Sequence, residues 1–187
     1  NPPVSAINTW LVETLKGMDP SSRILIGIIV GGMMSIDMGG PFNKAAYVTG
    51  TALLADGEFG IMASVMAGGM VPPLGIALAC QFFPKRFTKA ERETKASNVV
   101  MACSFITEGA IPFAAADPAH VIPCTMMGAG VAGFLSALFG CTLMAPHGGI
   151  FVFATVGKPV LYILAWLLGS IVTCIMLGLI KKNAKAE

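Results

Sequence analysis

Residues 59–83, 121–145 and 159–180 contain no charged side chain, in runs of 25, 25 and 22 residues. A helix rises about 1.5 Å per residue, so each run is long enough to cross the ~30 Å apolar layer of a bilayer. Runs of this length and polarity read as membrane-spanning helices. The rest of the composition agrees. Only 12% of the residues are charged, half the roughly 25% of soluble domains. Between Asp117 and Glu187 there is no acidic residue, and Lys158 is the only lysine or arginine there before Lys181. The chain has 22 glycines and 12 prolines, which suits packed transmembrane helices with breaks in them. A net charge of +2 with dispersed cations excludes a nucleic-acid-binding surface. The fold class is all-α integral membrane, multi-pass.

Cys80, Cys103, Cys124, Cys141 and Cys174 show no CxxC spacing and lie in apolar stretches; they read as small buried hydrophobes rather than metal ligands or disulfides. The opening "NPPVSAINTWLVETLKGM" lacks the basic start and compact apolar region of a signal peptide, and reads as the interior of a longer protein.

Along the chain, Val4 to Met18 reads as an interfacial amphipathic helix, with Trp10, Leu11 and Leu15 on one side. A first span is expected from Ser21 to Gly40, with Gly27 and Gly31 as a small-residue packing face. "GGPFNKAAY" (39–47) follows, then an apolar run from Val48 to Ala55, too short to cross, and a polar "DGE" turn. The run 59–83 contains Pro72-Pro73 and is expected to span even if kinked. "PKRFTKAERETKAS" (84–97) has five Lys/Arg against two Glu, and the tail "KKNAKAE" has three lysines; both belong in the cytoplasm by the positive-inside rule. Two spans, 121–145 and 159–180, already carry the chain out and back between these anchors. A third crossing at 97–117 would break the rule, so that segment is expected to enter the membrane and return as a re-entrant hairpin, with Gly109 and Pro112 at its bend and Glu108 near its tip. "APHGG" is expected to break the chain at the opposite face, with Gly148 and Gly149 supplying the turn.

The polar residues left inside apolar sequence are the candidates for function. Glu108 stands alone between Lys95 and Asp117. An ionisable side chain in a membrane segment costs about 3 kcal/mol or more and marks a functional site by default; the competing reading is a carboxylate that caps its own hairpin or pairs with a lysine. His147, among the glycines of "APHGG", divides evenly between a structural and a functional role. Asn43 and Lys44 lie between a Gly-Pro break and an apolar run, and Lys44 also reads as a snorkelling flank. His120 reads as interfacial. "GAGVAG" (128–133) matches the dinucleotide fingerprint in letters, but no acid follows before Glu187, so the glycines read as helix packing. No catalytic residue, metal site or cofactor is expected. A carboxylate, an imidazole, an amide and an ammonium on broken helices suit a polyhydroxylated solute, whose adjacent hydroxyls both donate and accept.

"GGPFNKAAY", "ITEGAIPFAAADP" and "APHGGIFV", in this order across residues 39–153, resemble the fructose-family enzyme IIC permease of the bacterial phosphotransferase system. The resemblance implies that residues 1–187 are the C-terminal part of such a membrane domain, without soluble IIA or IIB domains. It implies the transport-domain part of an elevator-type permease, with re-entrant hairpins, a sugar-contacting glutamate at Glu108 and the "APHGG" histidine at His147. Thr107, Asn43, Lys44 and Gly148 complete the expected substrate site. Fructose or a close hexose is the implied solute, and IIB and IIA domains the partners. The phosphoryl-transfer residue belongs to IIB, so whether this chain counts as an enzyme is left open. A homodimer in the lipid of the bacterial inner membrane is the implied setting. Relatives often read "GITEG" where this chain has Phe105 before "ITEG", which makes the hairpin approach bulkier, and commonly carry an arginine after "ADPL" where this chain has Ala119 and His120. The alternatives are an ion-coupled secondary transporter with Glu108 as proton carrier, and a structural membrane subunit without a solute site.

Overall fold

The chain starts, in the computed structural model, with a helix that stops halfway. The structure describes residues 19–184; the amphipathic helix expected over Val4–Met18, and Lys185 in the basic tail, lie outside them. Helix α1 (Pro20–Met33) has proline in its first turn, where the missing N–H costs nothing. Residues 34–40 are irregular, with Met38 and Gly39 both at positive φ (45° and 113°). Helix α2 (Pro41–Ala55) follows, again with proline in its first turn, and Gly57 turns the chain (φ 80°) into α3 (Gly60–Phe82). A 3-10 turn (Pro84–Arg86) leads to α4 (Lys89–Glu93), whose Thr88 and Glu91 form a reciprocal capping box. After α5 (Lys95–Cys103), a 3-10 turn (Thr107–Ala110) and α6 (Ile111–Ala116), α7 (Pro118–Leu138) begins. Strand β1 (Thr142–Leu143) pairs antiparallel with β2 (Val156–Gly157) around a 3-10 segment (Gly149–Thr155), and α8 (Pro159–Ile180) completes the described chain.

Among the described residues α3, α7 and α8 are the helices long and apolar enough to cross a membrane, and they overlap the uncharged runs at 59–83, 121–145 and 159–180. Their burial assigns different places to them. The most apolar stretch of α3 is 94% buried, against 50% for α7 and 44% for α8, so α3 is the central helix. The free side of α8 presents Val160, Leu164, Leu167, Leu168, Ile171, Ile175 and Leu179, all exposed. An apolar stripe at helical spacing with no polar counterpart suits lipid rather than water. Between helices the contacts are made by small residues. A Cβ on Gly31 would lie 2.6 Å from the Ala129 carbonyl oxygen, and one on Gly27 would lie 2.7 Å from that of Gly133. Thus Gly27 and Gly31 form the expected packing face. The "GAGVAG" glycines do the same work, Gly128 lying against Gly169 and Thr173 of α8 and Gly133 against Gly27.

Two expectations are corrected. The span expected over Ser21–Gly40 is a helix of 14 residues, about 21 Å long, ending where the backbone turns at 34–40. Its uniformly apolar sequence carries no stop signal; the turn is made by contacts from Asp37 and Asn43 described below. The next helix starts at Pro41, well before Val48, because Gly40 and Pro41 supply its N-terminus. Likewise the span expected over 121–145 has other bounds. Helix α7 begins three residues earlier, at Pro118, and stops at Leu138, where Gly140 (φ 63°) sends the chain into β1.

Three segments bring their middles together beside α3. Arg23 lines a cavity with Glu58, Gly60 and Gly140, which places the start of α1 and the end of α2 at one end, around the tip at 34–40. Residues 95–117 leave the other end, reach Gly69 midway along α3, where Thr107 Oγ1 donates to the Gly69 carbonyl at 3.0 Å, and come back to it. There Lys181, just past α8, lies 3.9 Å from Glu91 and 3.8 Å from Asp117. Residues 142–157 start beside Phe59, whose carbonyl accepts from Leu143 N–H (3.0 Å), and turn at Gly148-Gly149.

Candidate functional site

The tips of these three segments meet. Gly149 packs so closely on the Cys103 carbonyl and the Phe105 amide that no other residue fits, and its φ of 58° also favours glycine. Met34, in the first tip, lies against Gly69 beside the Phe105 ring (2.8 Å from a Cβ built there). Around this junction lies a cavity of about 540 Å³, lined by Met34, Gly39, Asn43, Lys44, Tyr47, Phe105, Ile106, Thr107, Glu108 and His147. Its size falls within the ~300–1,000 Å³ of small-molecule sites.

Two of the polar lining residues, Asn43 and Thr107, are held by local structure. The carboxylate of Asp37 accepts the Phe42 and Asn43 amides (2.7 and 2.9 Å), satisfying N–H groups that a helix N-terminus leaves free. This fixes the start of α2 and with it the direction of Asn43. Buried Asn43 donates from Nδ2 to the Met34 carbonyl at 2.8 Å, bridging both sides of the tip. Its Oδ1 accepts no hydrogen bond among the described residues. Thr107 is anchored by a gap in α3. A helix carbonyl accepts from the amide four residues on; for Gly69 that residue is Pro73, which has no N–H. The freed carbonyl takes the Thr107 hydroxyl, so the proline pair that leaves α3 unbroken also docks the second tip.

Glu108 is exposed, and its carboxylate lies against Gly39, where a Cβ would sit 3.0 Å from Oε1. Lys44 and His147 are also exposed. Among the described residues none of the three makes a hydrogen bond or ion pair. The His147 ring tilts over Phe105 (centroids 5.0 Å apart) and meets Tyr47 edge-on (6.4 Å), while Tyr47 and Phe105 are 6.2 Å apart. The cavity therefore offers a carboxylate, an ammonium, an imidazole and an amide oxygen together with the Tyr47 and Phe105 rings. Such a mixture hydrogen-bonds hydroxyls and covers apolar C–H surface.

Of the six residues singled out in the sequence, Glu108, His147, Asn43, Lys44 and Thr107 are brought together here. Gly148 is not a lining residue; at φ 129° it shapes the turn, with Val152 where a side chain would be. Sequence reasoning missed Tyr47, although it ends the "GGPFNKAAY" motif, and Asp37, whose position before Gly-Gly-Pro is a helix-start signal. His120 is held by Asp117 (2.6 Å), away from the cavity.

Comparison with known proteins extends the motifs to the whole chain. The fructose permease IIC component of Bacillus amyloliquefaciens is 50% identical over 187 residues, covering all of this chain and 61% of that protein. The fructose-specific EIIABC component of the phosphotransferase system of Bacillus subtilis (strain 168) is 50% identical over 97% of this chain and 29% of its own length. The fructose-specific EIIB'BC component of Escherichia coli (strain K12) is 44% identical over 96% and 32%. The chain thus spans less than two thirds of these relatives. No family model and no solved structure matches it.

Proposed function

We propose, on the premise that this chain is homologous over nearly its whole length to fructose-family enzyme IIC permeases, that it forms the sugar-binding part of such a permease. In this reading residues 1–187 are the C-terminal part of an enzyme IIC domain in the bacterial inner membrane. The tips at 104–110 and 145–150 are re-entrant hairpins that hold fructose or a close hexose between them. The observation that carries the reading is convergence: polar side chains from three distant segments line one cavity, with Glu108, Lys44 and His147 left unpaired. Unpaired polar groups at membrane depth are costly unless a solute or water completes them.

Glu108 accepts from sugar hydroxyls, Lys44 donates, and Asn43 Oδ1 accepts, while His147 does either according to its tautomer. The rings cover the C–H face of the sugar. Binding and movement are this chain's share. The phosphoryl group comes from a IIB domain at the face that carries residues 84–97, supplied in turn by IIA, as the relatives' EIIB'BC and EIIABC names suggest. Movement is of the elevator type, against a scaffold through which two copies pair in the lipid. The ion-coupled alternative has no support among the relatives reported above.

Competition binding on the purified full-length permease tests this, together with uptake into cells. Fructose should compete, and uptake should follow phosphoenolpyruvate and persist with an uncoupler. Uptake that collapses with the proton gradient and ignores phosphoenolpyruvate would refute it.

A further inference from the structure

Phe105 has a backbone that its side chain disfavours. Its φ is 59°, in the left-handed region that bulky residues rarely occupy, that costs free energy and that persists only where the surroundings over-determine it. Such outliers cluster at ligand clamps. The surroundings are specific. The residue is 5% exposed, and its ring rests on the bare backbone of Gly69, where a Cβ has no room. Its other neighbours are rings of the cavity, Tyr47 and His147, and it lines the cavity itself. With this backbone the side chain lies against α3 at Gly69 and lines the cavity.

We propose that Phe105 is the size-selecting residue of the site: its ring is the floor of the cavity and limits the solute to a single sugar ring. This rests on the sugar-site reading above. The strained backbone is the means of aiming the ring, and Gly69 is the space that receives it. Removing the ring opens the cavity along the face of α3, into the space over Gly69 that the Phe105 ring fills beneath Tyr47 and His147, where a second ring of a larger solute can enter.

The test is binding of fructose and of sucrose, which carries a fructosyl unit, to the purified full-length permease and its Phe105→Gly and Phe105→Leu variants. The parent should bind fructose and exclude sucrose at concentrations 100-fold higher. Phe105→Gly, which suits the backbone but leaves the space empty, should bind sucrose within about 10-fold of fructose. Phe105→Leu, which keeps an apolar body and safeguards folding, should still exclude sucrose. A residue that merely packs would lower the melting temperature and leave the ratio of the two affinities unchanged. An unchanged ratio in Phe105→Gly, with fructose still bound, overturns the size-selecting role alone. Failure of the parent to bind fructose overturns the sugar-site reading and this inference with it.

Discussion

The carboxylate of Glu108 lies on Gly39, so close that a Cβ there would stand 3.0 Å from Oε1 and 3.2 Å from Cγ. Two segments about seventy residues apart in sequence thus depend on one absent side chain. Gly39 also has φ 113°, which disfavours any residue with a Cβ. Gly39→Ala should therefore strain the tip and push the carboxylate aside together. Strain of this kind costs about 1–3 kcal/mol, so the melting temperature should fall; the sugar affinity of the folded fraction should fall at least ~10-fold. A variant that melts earlier yet binds normally would mean that Glu108 does not need this position.

Thr107 and Gly69 give a stability prediction. In Thr107→Val the Gly69 carbonyl, already without an amide because residue 73 is proline, loses its remaining donor. Leaving a buried acceptor unsatisfied costs about 1–3 kcal/mol. Thermal unfolding in detergent should show that loss in Thr107→Val and almost none in Thr107→Ser. Equal stability of Val and Ser would show that the hydroxyl does not hold the tip.

Asn43 and Lys44 differ in how they are held. Asn43 is clamped between the Met34 carbonyl and the Asp37 carboxylate, whereas Lys44 is exposed and its long stem can snorkel. Asn43→Ala should weaken sugar binding more than Lys44→Ala in parallel titrations. Equal or reversed losses would make Asn43 a structural bridge only.

Topology is testable at three exposed or end positions. Cysteines at Lys89 and Lys182 should be labelled by an impermeant reagent only from the cytoplasmic side, and a cysteine at Glu58 only from outside. The lysines lie at the end where Lys181 meets Glu91 and Asp117, and Glu58 at the other end. Labelling of all three from one side would contradict an odd number of crossings between them.

Much of this arrangement was legible from composition and spacing. The helices α3, α7 and α8 follow from three uncharged runs, and lone polar residues in apolar sequence pointed to Glu108, His147 and Asn43. What was illegible came from tertiary contacts. Helix α1 ends inside "GGMMSI", where hydropathy does not change; the stop is made by Asp37 capping the following helix and by Asn43 reaching back to Met34. The role of Pro73 was hidden for a similar reason: a proline pair reads as a kink, while the carbonyl it frees matters only because Thr107 arrives there. Tyr47 and Phe105 look like any packing aromatics until the tips come together.

Glu108→Gln bears most directly on the sugar-site claim. The amide keeps the size of the side chain but loses the charged acceptor. Hydrogen bonds to charged groups contribute about 1.5–3 kcal/mol, against about 0.5–1.5 for neutral ones. Fructose affinity of the full-length permease, measured by equilibrium binding, should fall ~10-fold or more, with Glu108→Ala weaker still and membrane expression kept in both. Near-normal fructose binding and uptake by Glu108→Gln would contradict the assignment of this cavity as the sugar site.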